Sequence, residues 1–178
     1  MRFEEKQKLN FWWLYILIGI ETIITLTLVT YSEAGFTLNG LESIFYMPIW
    51  LPVFLFGLVY LINRSTFHFS IDENGVEYRY WPFVRRKFIS WEVVDAAYLR
   101  KYDALGEYGG WGLRYKLWFK LKDRAYIFND RTIGLQFELP DNRKLLFSTS
   151  KKEELESFLS NLKQKYELKA IDLDVRER

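Results

Sequence analysis

Two apolar runs, Phe11–Val29 and Ile44–Ile62, dominate the first third of the chain, and no Lys or Arg falls between Lys8 and Arg64. Each run is 19 residues long. That is about 28 Å of helix at ~1.5 Å per residue, close to the ~30 Å hydrocarbon thickness of a bilayer. The pattern predicts a transmembrane helical hairpin, with helices over about 11–30 and 44–63. Arg2, Lys6 and Lys8 precede the first run, Arg64 closes the second, and Tyr31–Ser43 carries no cation. The positive-inside rule then places both termini in the cytoplasm. A cleaved signal peptide competes with this reading. The length of the first run, the lack of a small-x-small site after it and the second run count against a signal peptide. Trp12, Trp13, Tyr15 and Tyr60 sit where an aromatic belt would, and Pro52 predicts a kink.

Glu21 falls near the middle of the first run, where an ionised carboxylate is costly. It reads as an intramembrane polar residue that joins helices in an assembly, as a neutral hydrogen-bonded group, or as a proton or cation site. No second ionisable group in the runs could relay to it.

Charge splits along the 178 residues. Residues 1–63 carry 3 basic and 5 acidic side chains, and residues 64–178 carry 22 and 18. The mild positive excess fits a domain near an anionic surface and is too weak to argue for nucleic acid. Cys is absent, which excludes disulfides, thiol catalysis and Cys metal sites. His68 is the only His, so two-His metal sites and most His-based catalytic sets are excluded within one chain.

The remainder reads as strands. Phe67, Phe69 and Ile71 alternate with Thr66, His68 and Ser70, and Asp72-Glu73-Asn74-Gly75 makes a hairpin turn. Val76, Tyr78 and Tyr80 alternate up to Pro82. Lys87–Ile89 and Ala96–Tyr102 follow as strands. Leu113, Tyr115, Leu117, Phe119 and Leu121 give the cleanest alternation in the chain, expected as one long strand. Asp123-Arg124 is expected as a turn into Ala125–Phe128. Ile133–Leu139 and Leu145–Phe147 complete about seven antiparallel strands, with a turn at Pro140-Asp141-Asn142. Ser150 with Glu153 has capping-box spacing, and Leu155, Phe158, Leu159, Leu162 and Tyr166 then share one helical face. The tail after Leu168 is expected to fray.

Tyr108-Gly109-Gly110-Trp111-Gly112-Leu113-Arg114 resembles the Gly-Gly-Trp-Gly-Ile-Arg signature of small bacterial membrane proteins with a pleckstrin-homology (PH)-like domain, with Leu113 in place of Ile. Ile71–Val76, Phe88–Val94 and Ser148–Ser150 resemble other segments of that family, so the resemblance covers roughly Thr66 to Lys165. It implies a PH-like domain, a curved sheet or partial barrel capped by one C-terminal helix. It implies fold and location rather than a reaction. PH domains that bind inositol phosphates resemble each other in basic residues around the first hairpin. Here that turn, Asp72-Glu73-Asn74, is acidic.

Gly109, Gly110 and Gly112 do not form a phosphate-cradling loop, because the Gly-Lys-Ser/Thr ending and the following helix are missing. They are expected at positive φ or at a close backbone approach, with Trp111 packed. Trp81, Phe83, Arg85, Arg86 and Lys87 combine aromatic and cationic character suited to a membrane or partner contact, against the alternative of a hairpin loop with solvated cations. Arg114, Lys116, Trp118, Lys120 and Lys122 fall on one face of the expected long strand, either as a binding face for an acidic partner or as the solvated side of a sheet. Asp95, Asp103 and Glu107 are too spread to pair or to hold a metal.

Taken together, the expected fold class is α+β. Residues 1–63 hold the cytoplasmic N-terminus and the hairpin, 64–168 a cytoplasmic PH-like domain, and 169–178 the tail. The expected role is a membrane-anchored, non-enzymatic interaction module that scaffolds or regulates an assembly at the inner face of the bacterial plasma membrane. The alternative is a small transport or ion-linked subunit using Glu21. No catalytic residue, cofactor or metal is expected. The expected partners are the membrane, through two spans, and a protein partner or a second copy, with anionic lipid headgroups as a further candidate and no nucleic acid.

Overall fold

The computed structural model describes residues 1–31, 50–117, 120–129 and 131–176. Two compact units emerge, one of Met1–Leu9 with Thr66–Arg178, the other of Asn10–Ser65. The larger unit is α+β. Its first sheet runs β1 (Phe3–Gln7), β2 (Thr66–Ile71), β3 (Gly75–Trp81) and β4 (Val84–Ser90) in that spatial order, each pair antiparallel. Its second sheet is built from β5 (Ala96–Lys101), β6 (Gly112–Lys116), β7 (Lys120–Ile127), β8 (Ile133–Leu139), β9 (Arg143–Ser148) and β10 (Ile171–Arg176), in the order β10-β5-β8-β9-β7-β6.

Alternation dictates which side chains meet between the sheets. Successive side chains of a strand point to opposite faces, so Phe67, Phe69 and Ile71 of β2 fall on one face and are buried, while His68 is only partly covered. Phe67 stacks on Tyr126 of β7 and on Phe128, with ring centroids 4.9 and 5.2 Å apart. Phe147 of β9 meets Phe67, Phe69, Tyr78 and Phe137 at 5.1–5.4 Å. The helix after β9 (α4, Lys152–Tyr166, with the other helices numbered below) closes one end through buried Leu155, Leu159 and Leu162, and Phe158 meets Phe3 of β1.

Gly75 opens β3 where the chain passes close to β4, and a Cβ there would run into the Ile89 carbonyl oxygen. The preceding turn forms as the sequence predicts. The Asp72 Oδ1 accepts hydrogen bonds from the Asn74 and Gly75 amides at 2.9 and 3.1 Å.

β1 carries two buried polar residues, Glu5 and Gln7. The Glu5 carboxyl accepts from Gln7 Nε2, Thr149 Oγ1, and the Ser150 amide and hydroxyl at 2.6–2.8 Å. Gln7 Nε2 donates to the Ser148 carbonyl, and its Oε1 accepts from Ser148 Oγ and Asn129 Nδ2. These bonds tie the first strand to the entry of α4. They also replace the expected capping box: the cap position is Lys151, without a side-chain cap bond, and Ser150 donates to Glu5 instead.

The smaller unit holds α1 (Trp12–Tyr31) and α2 (Trp50–Arg64). Tyr15 stacks on Phe56 at 6.0 Å, and the Phe11 amide donates to Asn63 Oδ1 at 2.8 Å. Large apolar side chains remain exposed on both helices, among them Ile23 at 65% and Phe54 at 66%. The expected transmembrane hairpin is corrected here: among the described residues, no helix is long and apolar enough to cross a membrane. The described α2 is 15 residues, about 22 Å at ~1.5 Å per residue, short of the ~30 Å a span needs. α1 interrupts its apolar run with Glu21, Thr22, Thr25 and Thr27. The integral membrane reading, the plasma-membrane location and the sidedness inferred from two spans lose their basis. The transport use of Glu21, which required an intramembrane position, loses its basis with them. Pro52 is the third described residue of α2. Of the expected loop Tyr31–Ser43, Tyr31 ends α1, and residues 32–43 together with the first residues of the second run, 44–49, lie outside the described residues.

The expected PH-like arrangement is corrected as well. The larger unit has ten described strands rather than about seven, two pairs are parallel (β7 with β9, β10 with β5), and a strand follows the helix. The segment expected to fray contains β10. The expected long strand 113–121 is an antiparallel pair, β6 and β7, and Asp123-Arg124 lies inside β7 rather than in a turn. Met1–Leu9 joins the larger unit instead of staying with the helices.

Replacing Phe67 with Ala is expected to cost about 3–5 kcal/mol of stability, the range for deleting a core aromatic. Urea unfolding of the full chain reads it as a lower midpoint with an unchanged slope.

Candidate functional site

The face of the second sheet that points away from the aromatic core carries polar residues. In β5, Leu99 faces the core, so Tyr98 and Arg100 fall on the opposite face. In β8, Leu135 and Phe137 face inward, leaving Gln136. In β9, Lys144 and Leu146 alternate with Leu145 and Phe147, and in β7 Asp123 and Ala125 alternate with Tyr126. The registers Tyr98↔Gln136, Gln136↔Leu146 and Lys144↔Asp123 bring these side chains side by side. Tyr98, Arg100, Asp123, Gln136 and Lys144 line a cavity of about 660 Å³ together with Lys116, Lys120, Leu121, Lys122, Asn142 and Arg176.

The short helix α3 (Ala104–Tyr108) covers the neighbouring part of this face. Asp103 caps it by accepting from the Leu105 and Gly106 amides at 3.0 Å. Gly109 ends it in the left-handed region at φ 70°, and Gly110 and Gly112 follow at φ 122° and 97°. The glycines thus do what the sequence predicts, permitting positive φ, and Trp111 packs on a cluster of Tyr102, Tyr108, Ala125, Ile127 and Leu146.

The floor of the cavity is a buried ionic network. Arg100 Nε donates to Gln136 Oε1 at 2.9 Å, and its terminal nitrogens donate to Glu107 Oε2 at 3.1 Å and to the Tyr108 hydroxyl at 2.8 Å. The Tyr108 hydroxyl in turn donates to Asp123 Oδ1 at 3.1 Å. Lys116 Nζ lies 3.3 Å from Glu107 and 3.8 Å from Asp123. Burial pushes the Tyr108 hydroxyl well above its ordinary value. Burial also raises Asp123, outweighing Lys116 and the Tyr108 bond. Burial works in the same direction on Glu107, but there the Asp103 amide, Arg100 and Lys116 prevail and hold the carboxyl below its ordinary value.

At one wall, Lys144 Nζ lies 2.6 Å from Glu138 Oε1, which also accepts from the Tyr98 hydroxyl at 2.8 Å. The Lys144 bond is the main cause of the lowered Glu138 value. Arg176 stacks over the Tyr98 ring at 3.8 Å and pairs with Asp172 at 2.9 Å. No ion pair among the described residues involves Lys120 or Lys122. Lys122 donates to the Asp141 carbonyl at 3.1 Å.

Of the expected basic strand face, Lys116, Lys120 and Lys122 therefore meet at one cavity. Arg114 turns aside to donate to the Trp111 carbonyl at 2.7 Å, and Trp118 lies outside the described residues. Of the expected contact loop, Trp81 and Phe83 are exposed at 43% and 51%, Arg85 is exposed, and Arg86 pairs with Glu77. Lys87 lines a second groove that shares Leu121, Lys122 and Lys144 with the cavity. Glu21 sits partly exposed in α1 of the smaller unit. Among the described residues no group of three or more His, Asp or Glu could hold a metal.

Sequence reasoning missed Tyr98, Arg100, Asp123, Gln136, Lys144 and Arg176. The available signal was a polar residue inside an apolar alternation, such as Gln136 between Leu135 and Phe137. No family model, curated protein or solved structure matches the chain.

Because its folded-state value is raised, Asp123 costs stability above that value, and the cost vanishes below the ordinary carboxylate range. Asp123→Asn, which keeps an oxygen for the Tyr108 hydroxyl, is expected to hold or raise the urea midpoint at pH 7. The difference from the parent should shrink toward zero as the pH falls to about 4. Loss of stability at pH 7 that persists at pH 4 would contradict the assignment.

Proposed function

We propose that the chain is a non-enzymatic interaction module that takes a negatively charged group of a partner protein into the cavity on the second sheet. The observation that carries this is charge. Six cations, Arg100, Lys116, Lys120, Lys122, Lys144 and Arg176, line the cavity against one carboxylate, Asp123. Glu107, Glu138 and Asp172 pair with four of the six from behind or beside. Lys120 and Lys122 are exposed and form no ion pair among the described residues. A concave site with cations on its rim and an ionic network in its floor holds its geometry without a ligand, so little ordering is left for the moment of binding. Phosphate and carboxylate groups suit such donors equally.

The arrangement also speaks against a reaction. Asp123 is engaged with Tyr108, and Tyr108 with Arg100, and among the described residues no nucleophile with a base and an orienting group converges on the cavity.

Tripolyphosphate serves as a compact polyanion probe. Calorimetric titration of the full chain is expected to show saturable binding that weakens steeply between low and high salt. Changing Lys120 and Lys122 together to Ala should weaken it tenfold or more without altering the urea midpoint. Binding unaffected by the double change would move the site elsewhere, and no binding at low salt would overturn the reading.

A further inference from the structure

A second depression, a groove of about 780 Å³, lies between the first sheet and the second within the larger unit. Its wall on the first sheet is four consecutive residues of β4, Lys87, Phe88, Ile89 and Ser90, joined by Tyr78 of the neighbouring β3, which pairs with Lys87. Neighbouring side chains of a strand point to opposite faces, so four in a row can border one groove only if the groove runs along the edge of the strand. β4 is the last strand of its sheet, bonded to β3 alone among the described strands. The groove therefore follows a row of backbone N–H and C=O groups with no other strand beside them among the described residues.

Charge selects what such an edge accepts. Lys87, Lys122, Arg124, Arg143 and Lys144 line the groove against one carboxylate, Asp141, and Phe88, Val93 and Leu121 supply apolar surface between them. A second copy of β4 is a poor occupant, since Arg85, Arg86 and Lys87 of two antiparallel copies would face one another across the pairing, and like charges directly opposite destabilise. An acidic strand meets the opposite sign on both walls. The groove and the cavity above share Leu121, Lys122 and Lys144.

We infer that the partner binds as an extended acidic segment, adding a strand to the open edge of β4, with alternate acidic side chains toward the cations and apolar side chains toward Phe88 and Leu121. Main-chain hydrogen bonds supply affinity in this mode, and the side chains supply selection. The inference rests on the acidic-partner reading above and deepens it.

The test uses the full chain and the peptide Glu-Val-Glu-Ile-Glu-Val-Glu, capped at both ends and fluorescently labelled. Anisotropy is expected to show saturable binding, and amide hydrogen exchange of residues 84–90 should slow several-fold in the complex. The same peptide N-methylated throughout keeps every charge and loses every N–H, and it should bind at least tenfold more weakly. Lys87→Glu with Arg143→Glu should weaken the acidic peptide and create affinity for the corresponding Lys peptide, a swap that an unfolded variant could not give. Equal binding of the N-methylated peptide, or unchanged exchange over 84–90, overturns strand addition. If tripolyphosphate still binds in that case, the acidic-partner reading stands. If neither probe binds, both fail.

Discussion

The stack of Phe67 between Tyr126 and Phe128, with Phe147 against its edge, is the contact on which the larger unit depends. It is where the two sheets meet, and each participating strand is positioned by it. β2 brings Phe67 and Phe69, β7 brings Tyr126, and β9 brings Phe147. Because alternation is strict, seating these rings on one side of β7, β8 and β9 forces Asp123, Gln136 and Lys144 to the other. The cationic cavity is thus the reverse side of the aromatic core. A one-residue slip in any of those strands would exchange ring for charge, so the core's register also sets the site's.

Charge within the cavity is ordered by depth. At the floor, Arg100 is held between Glu107, Tyr108 and Gln136, and burial opposes every charge that lacks such partners. Lys120 and Lys122 are exposed and form no ion pair among the described residues, and Lys122 donates to the Asp141 carbonyl. The buried pairs fix shape and the outer cations remain for a visitor. Burial raises both carboxyls; it prevails at Asp123, while the Asp103 amide, Arg100 and Lys116 outweigh it at Glu107.

Much of this could be read in the chain, and the misses have physical causes. The alternation of Phe67, Phe69 and Ile71, the run Ile133–Leu139 and the apolar stripe Leu155–Leu162 each point to one element, and those elements formed. The glycines at 109, 110 and 112 announced positive φ, and they have it. β1 was invisible because two of the three positions it buries are Glu5 and Gln7, whose burial makes sense only beside Ser148, Thr149 and Ser150, more than 140 residues away. β10 was invisible because it adds as a parallel edge strand whose alternate positions are charged. The apolar periodicity of 113–121 is equally satisfied by one strand or by two folded together, and alternation alone does not mark the break near Leu117. For the site, Lys116, Lys120 and Lys122 were legible as a group, but their companions come from four other strands, and only the sheet order unites them.

β1 and β2 are sheet neighbours, yet residues 8–65 lie between them in the chain. Joining the ends of a disordered loop of ~58 residues costs roughly 3–4 kcal/mol by (3/2)RT ln n, before any constant term. The helix pair changes that sum. The bond from the Phe11 amide to Asn63 Oδ1 holds the two ends of the smaller unit together, so once the helices have formed, the loop left to close is only a few residues on either side. The smaller unit therefore acts on the larger as a staple made of peptide, lowering the entropic barrier to docking β1. Loosening the helices would be felt first at the Glu5 and Gln7 bonds, through chain connectivity alone.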